Sequence, residues 1–111
     1  MAIDMVNIPS NRLKEWSPGT GKAFREMRDA METDGPLDKE ARELVMLTGF
    51  TVKGFEMPFK IHAVRALKAG VSKDAIKQAV LLTIGAHISM FEGTRALSWL
   101  EEAAAEVAAQ G

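Results

Sequence analysis

The chain contains no cysteine. Disulfides, thiolate-held metals, cysteine-ligated iron–sulfur clusters and thiol redox chemistry are excluded by that alone. It also lacks an excess of either charge: 14 Lys and Arg stand against 15 Asp and Glu, a formal net charge of -1. Such a balance offers no electrostatic footprint for nucleic acid or an anionic membrane. No apolar run approaches the roughly 18–20 residues needed to span a bilayer. The opening Met1-Ala2-Ile3-Asp4-Met5-Val6 has neither a basic leader nor a long apolar stretch, so no signal peptide is expected. These absences point to a soluble, cytoplasmic protein without nucleic-acid or membrane partners. Phosphate-binding glycine loops are missing, and no serine stands in a nucleophile-elbow context.

What remains is 111 residues, 47% of them apolar, enough for one domain with a modest core. Residues 1–16 carry no clear period, and Asn7, Pro9, Ser10 and Asn11 predict an extended or turn-rich lead-in. Trp16 reads as an anchor packed on the domain or on a neighbouring subunit. Ser17-Pro18 is an N-cap followed by a first-turn proline, and a helix from about 18 to 32 places Phe24, Met27 and Met31 on one stripe. Asp38 caps the next helix, which is apolar nearly all round from Leu44 to Phe50 and should therefore be central. Gly54 ends it. A third helix begins near residues 55–58, where Pro58 fits the first turn. Ser72 caps a fourth, running to about Ile88, with Gly85 letting another backbone approach. A fifth carries Leu97, Leu100, Ala104 and Val107 on one stripe. With no credible strand, the chain is all-α, a compact bundle of about five to six helices. Residues 1–16 form the lead-in and 17–111 the helical domain.

The chemistry gathers between Glu43 and His62. Two antiparallel helices would bring this carboxylate and imidazole face to face in an apolar interior. A carboxylate beside a histidine fixes its tautomer and raises its basicity, and the pair can then move a proton. The same pair also serves as a buried tie between two helices, and both readings stand on sequence alone. His87, alone on a largely apolar helix, is either a core histidine or a second acid/base or substrate anchor. Glu92 reads as a helix-start carboxylate. Two His and one Glu lack the spacing of a metal site, so no metal is expected. Lys60, Arg65 and Lys68 read as a solvated face.

The run Gly35-Pro36-Leu37-Asp38-Lys39-Glu40-Ala41-Arg42-Glu43-Leu44-Val45 resembles the opening motif of the carboxymuconolactone decarboxylase family, which includes the alkylhydroperoxidase D-like proteins. His62-Ala-Val-Arg-Ala66-Leu67-Lys-Ala-Gly70-Val71-Ser72-Lys-Asp-Ala-Ile76 is similar to its next conserved stretch. Ala79 to His87 resembles the helix lining the same cavity. The likeness covers roughly residues 17 to 105. It implies an all-helical, alkylhydroperoxidase D-like fold, assembled as a homotrimer or homohexamer. The family's peroxidase branch uses Cys-x-x-Cys-x-x-x-His, with a glutamate twelve residues before the first cysteine. In that register Phe55 and Pro58 stand at the two cysteine positions, while Glu43 and His62 keep the glutamate and histidine.

The resemblance therefore implies proton chemistry without peroxidase chemistry: a thiol-independent, cofactor-free decarboxylase-, lyase- or isomerase-like enzyme of aromatic-compound degradation. Its substrate would be a small carboxylated or lactone/carbonyl compound. His62 is the expected general acid/base, Glu43 its orienting partner, and His87 the group that polarises or anchors substrate. Phe55, Met57, Phe59 and Thr83 are the candidate pocket residues. Met57-Pro58-Phe59 departs from the decarboxylase branch's segment before the histidine and makes the pocket mouth more apolar. The alternative is a non-catalytic, ligand-binding or structural oligomeric member.

Overall fold

The computed structural model describes residues 3, 4 and 8–111. Asn7, read above as part of a turn-rich lead-in, lies outside them. Six helices form among the described residues: α1 (Pro9–Trp16), α2 (Pro18–Thr33), α3 (Lys39–Lys53), α4 (Glu56–Lys68), α5 (Lys73–Thr83) and α6 (Met90–Gln110). The fold is all-α. Its contacts group α1 with α2 in one compact unit and α3 to α6 in another, with the division after Asp38.

In the first unit the lead-in is helical from Pro9, which corrects the extended segment expected there. Proline opens both helices, at positions whose N–H would have no intrahelical partner in any case. Only Ser17 separates them. Their close approach is set by Gly21: a Cβ there would lie 2.7 Å from the Lys14 Cα. The stripe of Phe24, Met27 and Met31 forms as expected, but all three remain exposed, and Trp16 is 81% exposed.

In the second unit α4 packs on α6 and α3, α3 also on α5, and α5 also on α6. The core is built from Leu47 of α3, Phe59 and Val64 of α4, Ile76 and Val80 of α5, and Leu100 of α6. Gly54, with φ of 74°, takes the left-handed conformation that closes α3. The Phe55 N–H then donates to the Phe50 carbonyl, and α4 starts one residue later. This short link lays α4 back along α3.

Four expectations are overturned. The helix buried on most sides is α4, with six buried residues, whereas α3 leaves Val45 exposed. Helix α5 ends at Thr83, not near Ile88. Residues 84–88 fold into a turn in which Gly85, at φ of 81°, donates its N–H to the Ile88 carbonyl. Gly85 therefore serves a positive φ, and the close approach occurs at Gly93 instead. A Cβ at Gly93 would sit 2.3 Å from Ile84 Cγ1. Finally, Lys60 is buried, while Arg65 and Lys68 are exposed as expected.

Two serines cap helices through their side chains, Ser72 as expected and Ser89 without having been anticipated, whereas Ser17 precedes α2 with no side-chain cap bond. Ser72 accepts from the Ala75 N–H, and Ser89 forms a reciprocal capping box with Glu92. The Glu92 carboxyl is held below the ordinary range by these bonds from the Ser89 backbone and hydroxyl, so its helix-start role holds. Among the described residues no helix is long and apolar enough to cross a membrane.

Candidate active site

Helix α3 carries Glu43, Leu47 and Phe50 at spacings of four and three, so all three share the stripe that faces α4. Leu47 fixes this face in the core. Glu43 and Phe50 then bracket the position where α4 presents His62. The imidazole tilts against the Phe50 ring, with centroids 5.0 Å apart and planes at 48°. Its Nδ1 lies 3.8 Å from Glu43 Oε2. The sequence-predicted pair is thus brought together.

The separation is short enough for charge attraction and longer than a hydrogen bond. Both atoms are buried, and neither has a hydrogen-bond partner among the described residues. Such an orphaned facing pair costs free energy as it stands, about 1–3 kcal/mol per unsatisfied group. A small closure would satisfy both at once, and catalytic hydrogen bonds often tighten in that way when substrate binds.

Glu43 is 8% exposed and holds a carboxyl whose pKa is lowered from the ordinary 4.5. The facing His62 is the largest cause, Lys39 adds to it, and burial opposes both. Lys39, one helical turn earlier, places its Nζ 3.3 Å from Glu43 Oε1. The two carboxylate oxygens therefore have different neighbours, the ammonium at Oε1 and the imidazole at Oε2. His62 keeps 22% of its side-chain surface. Since Nδ1 is buried, the accessible edge of the ring is the one away from the carboxylate.

The other expected site residues lie in varied surroundings. His87 is exposed in the turn between α5 and α6, where its backbone N–H donates to the Thr83 carbonyl, so it is not a helix-face residue. Thr83 is buried and donates its hydroxyl to the Val80 carbonyl at 2.6 Å. Phe59 is fully buried against Trp99, at 5.8 Å between centroids, and belongs to the core rather than to a pocket wall. Phe55, the residue before α4, and Met57 in its first turn are both exposed. They can supply an apolar rim. Among the described residues no three His, Asp or Glu side chains converge as metal ligands would.

Lys39 was missed by sequence reasoning, which placed it in a family motif without a role. Its spacing of four before Glu43 was the available signal, since residues so placed are neighbours on a helix. The same spacing links Glu56 to Lys60. Lys60 is 5% exposed and lies between Glu56 Oε2 at 2.5 Å and Glu102 Oε2 at 3.0 Å. Burial pushes its pKa down, but the two carboxylates outweigh burial, and it is raised above the ordinary 10.5. An ammonium so held is no nucleophile. It ties α4 to α6.

Glu43 and His62 thus face each other between α3 and α4 of an all-helical protein whose chain contains no cysteine. Residues 18–109 match the carboxymuconolactone decarboxylase family, and the chain belongs to that family. No curated protein and no solved structure matched the chain.

Proposed function

We propose that this chain is a thiol-independent acid/base enzyme acting on a small lactone or carbonyl compound that bears a carboxylate. The observation that carries the reading is the Glu43–His62 pair: a buried carboxylate faces Nδ1, while the opposite edge of the imidazole keeps access to solvent. A carboxylate at Nδ1 favours the tautomer with its proton there and leaves Nε2 to exchange a proton with substrate.

In decarboxylation the bond from the substrate carbon to its carboxylate breaks and CO2 leaves. The electron pair stays on that carbon and spreads onto the adjacent carbonyl oxygen as an enolate. Nε2–H of protonated His62 delivers a proton to the carbon, and neutral His62 keeps Nδ1–H toward Glu43. Isomerisation would use the same pair with a proton first removed and then returned. Phe50 covers the ring, and Phe55 and Met57 supply apolar surface, so charge developing on the enolate would meet little competing water. His87 enters this reading only as a substrate anchor from the α5–α6 turn. Thr83 keeps acceptor capacity beyond its bond to Val80.

The apolar side chains of Leu82, Met90 and Phe91 are well exposed around the end of α5 and the start of α6. An exposed apolar cluster is commonly a contact surface. It supports self-association as a homotrimer or homohexamer, in the catalytic reading and equally in the alternative, a non-catalytic ligand-binding or structural member.

The test is turnover of a carboxymuconolactone, followed by CO2 release. The expected result is measurable activity that falls about 10²–10⁴-fold in His62→Ala, the range general acid/base catalysis supplies, with the helical circular dichroism unchanged. Equal turnover by His62→Ala, or none by the wild type on carboxylated lactones, would leave the non-catalytic reading in its place.

A further inference from the structure

Glu43 has two oxygens, and they are not equivalent. Oε1 accepts from Lys39 Nζ at 3.3 Å, and Oε2 faces His62 Nδ1 at 3.8 Å without a hydrogen-bond partner among the described residues. A carboxylate on two rotatable side-chain bonds beyond Cβ has many orientations open to it. Here one oxygen is tethered on the solvent side of α3, because Lys39 is about half exposed and sits one turn before Glu43. With Oε1 held there, the planar carboxylate turns its other oxygen inward to the imidazole.

We propose that Lys39 is a positioning residue of the Glu43–His62 pair, holding one carboxylate oxygen so that the other is presented to Nδ1. The proposal rests on the acid/base reading for its consequence in turnover, but its geometric content can be tested without a substrate. Lys39 and His62 are the charged or titratable side chains that make ion pairs with Glu43 among the described residues. Of the elements packed against α3, namely α4, α5 and α6, only α4 supplies such a group there, and that group is His62.

Lys39 can do this without building a closed salt bridge. Lys39 keeps about half its side-chain surface, so substituting it should leave the fold intact. The effect expected from removing it is local. The carboxylate would be free to swing toward water, and the imidazole would lose the facing negative charge that favours its Nδ1–H tautomer. Arginine keeps a cation at the same place and should preserve the orientation. Methionine keeps much of the apolar stem and removes the cation.

The test uses the full chain, isotopically labelled, as wild type, Lys39→Met and Lys39→Arg. The Glu43 carboxyl carbon is titrated by NMR, and the His62 tautomer is read from its ring nitrogen shifts. In Lys39→Met the Glu43 titration should move to higher pH and the Nδ1–H tautomer of His62 should lose population. Lys39→Arg should restore both toward the wild type. An unchanged tautomer in Lys39→Met would overturn the proposal, even if the Glu43 titration moves, because that combination describes a nearby charge and not a positioning group. Loss of the tautomer in Lys39→Arg as large as in Lys39→Met would overturn it as well.

Turnover of a carboxymuconolactone separates this inference from the functional reading. If the enzyme is active, Lys39→Met should lower kcat about 10–100-fold, as loss of an outer partner typically does, with KM little changed. If no variant turns over while the NMR results come out as expected, the acid/base function fails and the positioning role stands. If the wild type turns over and the tautomer ignores Lys39, the reverse holds.

Discussion

Glu43 is ionised in a place that only partly welcomes a charge. Burial disfavours the carboxylate, and His62 and Lys39 together more than compensate, so its pKa falls below 4.5. A depressed carboxyl contributes stability that is present above the unfolded-state pKa and lost as pH falls through the folded value. Glu43→Gln removes that contribution. Above about pH 5 the variant should be less stable than the wild type by about 1 kcal/mol, the usual net worth of one such interaction. The gap should close on acidification below 4.5, as read from urea unfolding at several pH values. A gap that widened toward acid would contradict the assignment. His62 was legible beside Glu43 because the helical period and the Gly54 break were both written in the chain. That Nδ1, and not Nε2, turns to the carboxylate was not, because ring orientation follows from how Phe50 and α4 pack.

Among the helices, α4 is the one the others define. It buries Phe59, Lys60, Ile61, Ala63, Val64 and Ala66, which occupy more than one face. A helix covered by α3 on one side and α6 on another has no single apolar stripe, so its period does not separate inside from outside. This is why Lys60 read as solvated from sequence. Its ammonium is buried, while Glu56 and Glu102 keep about half their side-chain surface. Removing the buried member and removing its partners should therefore differ. Lys60→Met leaves two hydrated carboxylates and should cost no more than about 1 kcal/mol, whereas Glu56→Leu with Glu102→Leu strands a buried cation and should cost about 3 kcal/mol or more. Thermal melts of the two variants at neutral pH give the comparison. The raised pKa of Lys60 adds stability that is fully present below 10.5 and lost as pH rises through the folded value, so the two variants should differ less in strong alkali.

The end of α5 shows a different limit. Ile84 and Ile88 continue an apolar pattern, and nothing in their side chains marks a stop. The stop is a backbone event, the positive φ of Gly85 and the return of its N–H to Ile88. By contrast Ser72 marked its helix through a side-chain hydrogen bond, which sequence does encode, and the same signal at Ser89 was available but went unread. Helix α1 was missed for its length: eight residues are too few for a period to declare itself.

At the scale of the whole molecule, several large apolar residues lie exposed around the end of α5 and the start of α6. Phe91 is 75% exposed at the start of the longest helix, and Leu82 and Met90 are exposed nearby. If self-association covers them, sedimentation should find a trimer or hexamer. Phe91→Glu with Leu82→Lys should then shift the mass toward the monomer while helix content is retained. A monomeric wild type at micromolar concentration would remove the basis for assembly through this surface.

The sequence by itself determined the helical class, most helix starts, the absence of thiol chemistry, and the partnership of Glu43 with His62. Each of these depends on residue type or on spacing along one or two helices, and both are local. Only the tertiary structure decided that α4 and not α3 is the enclosed helix, that Lys60 is buried between two carboxylates, and that His87 lies in an exposed turn. Only it showed Glu43 divided between Lys39 and His62. Those outcomes turn on which faces of separate helices meet, and a helical period gives the spacing of a face without naming what covers it.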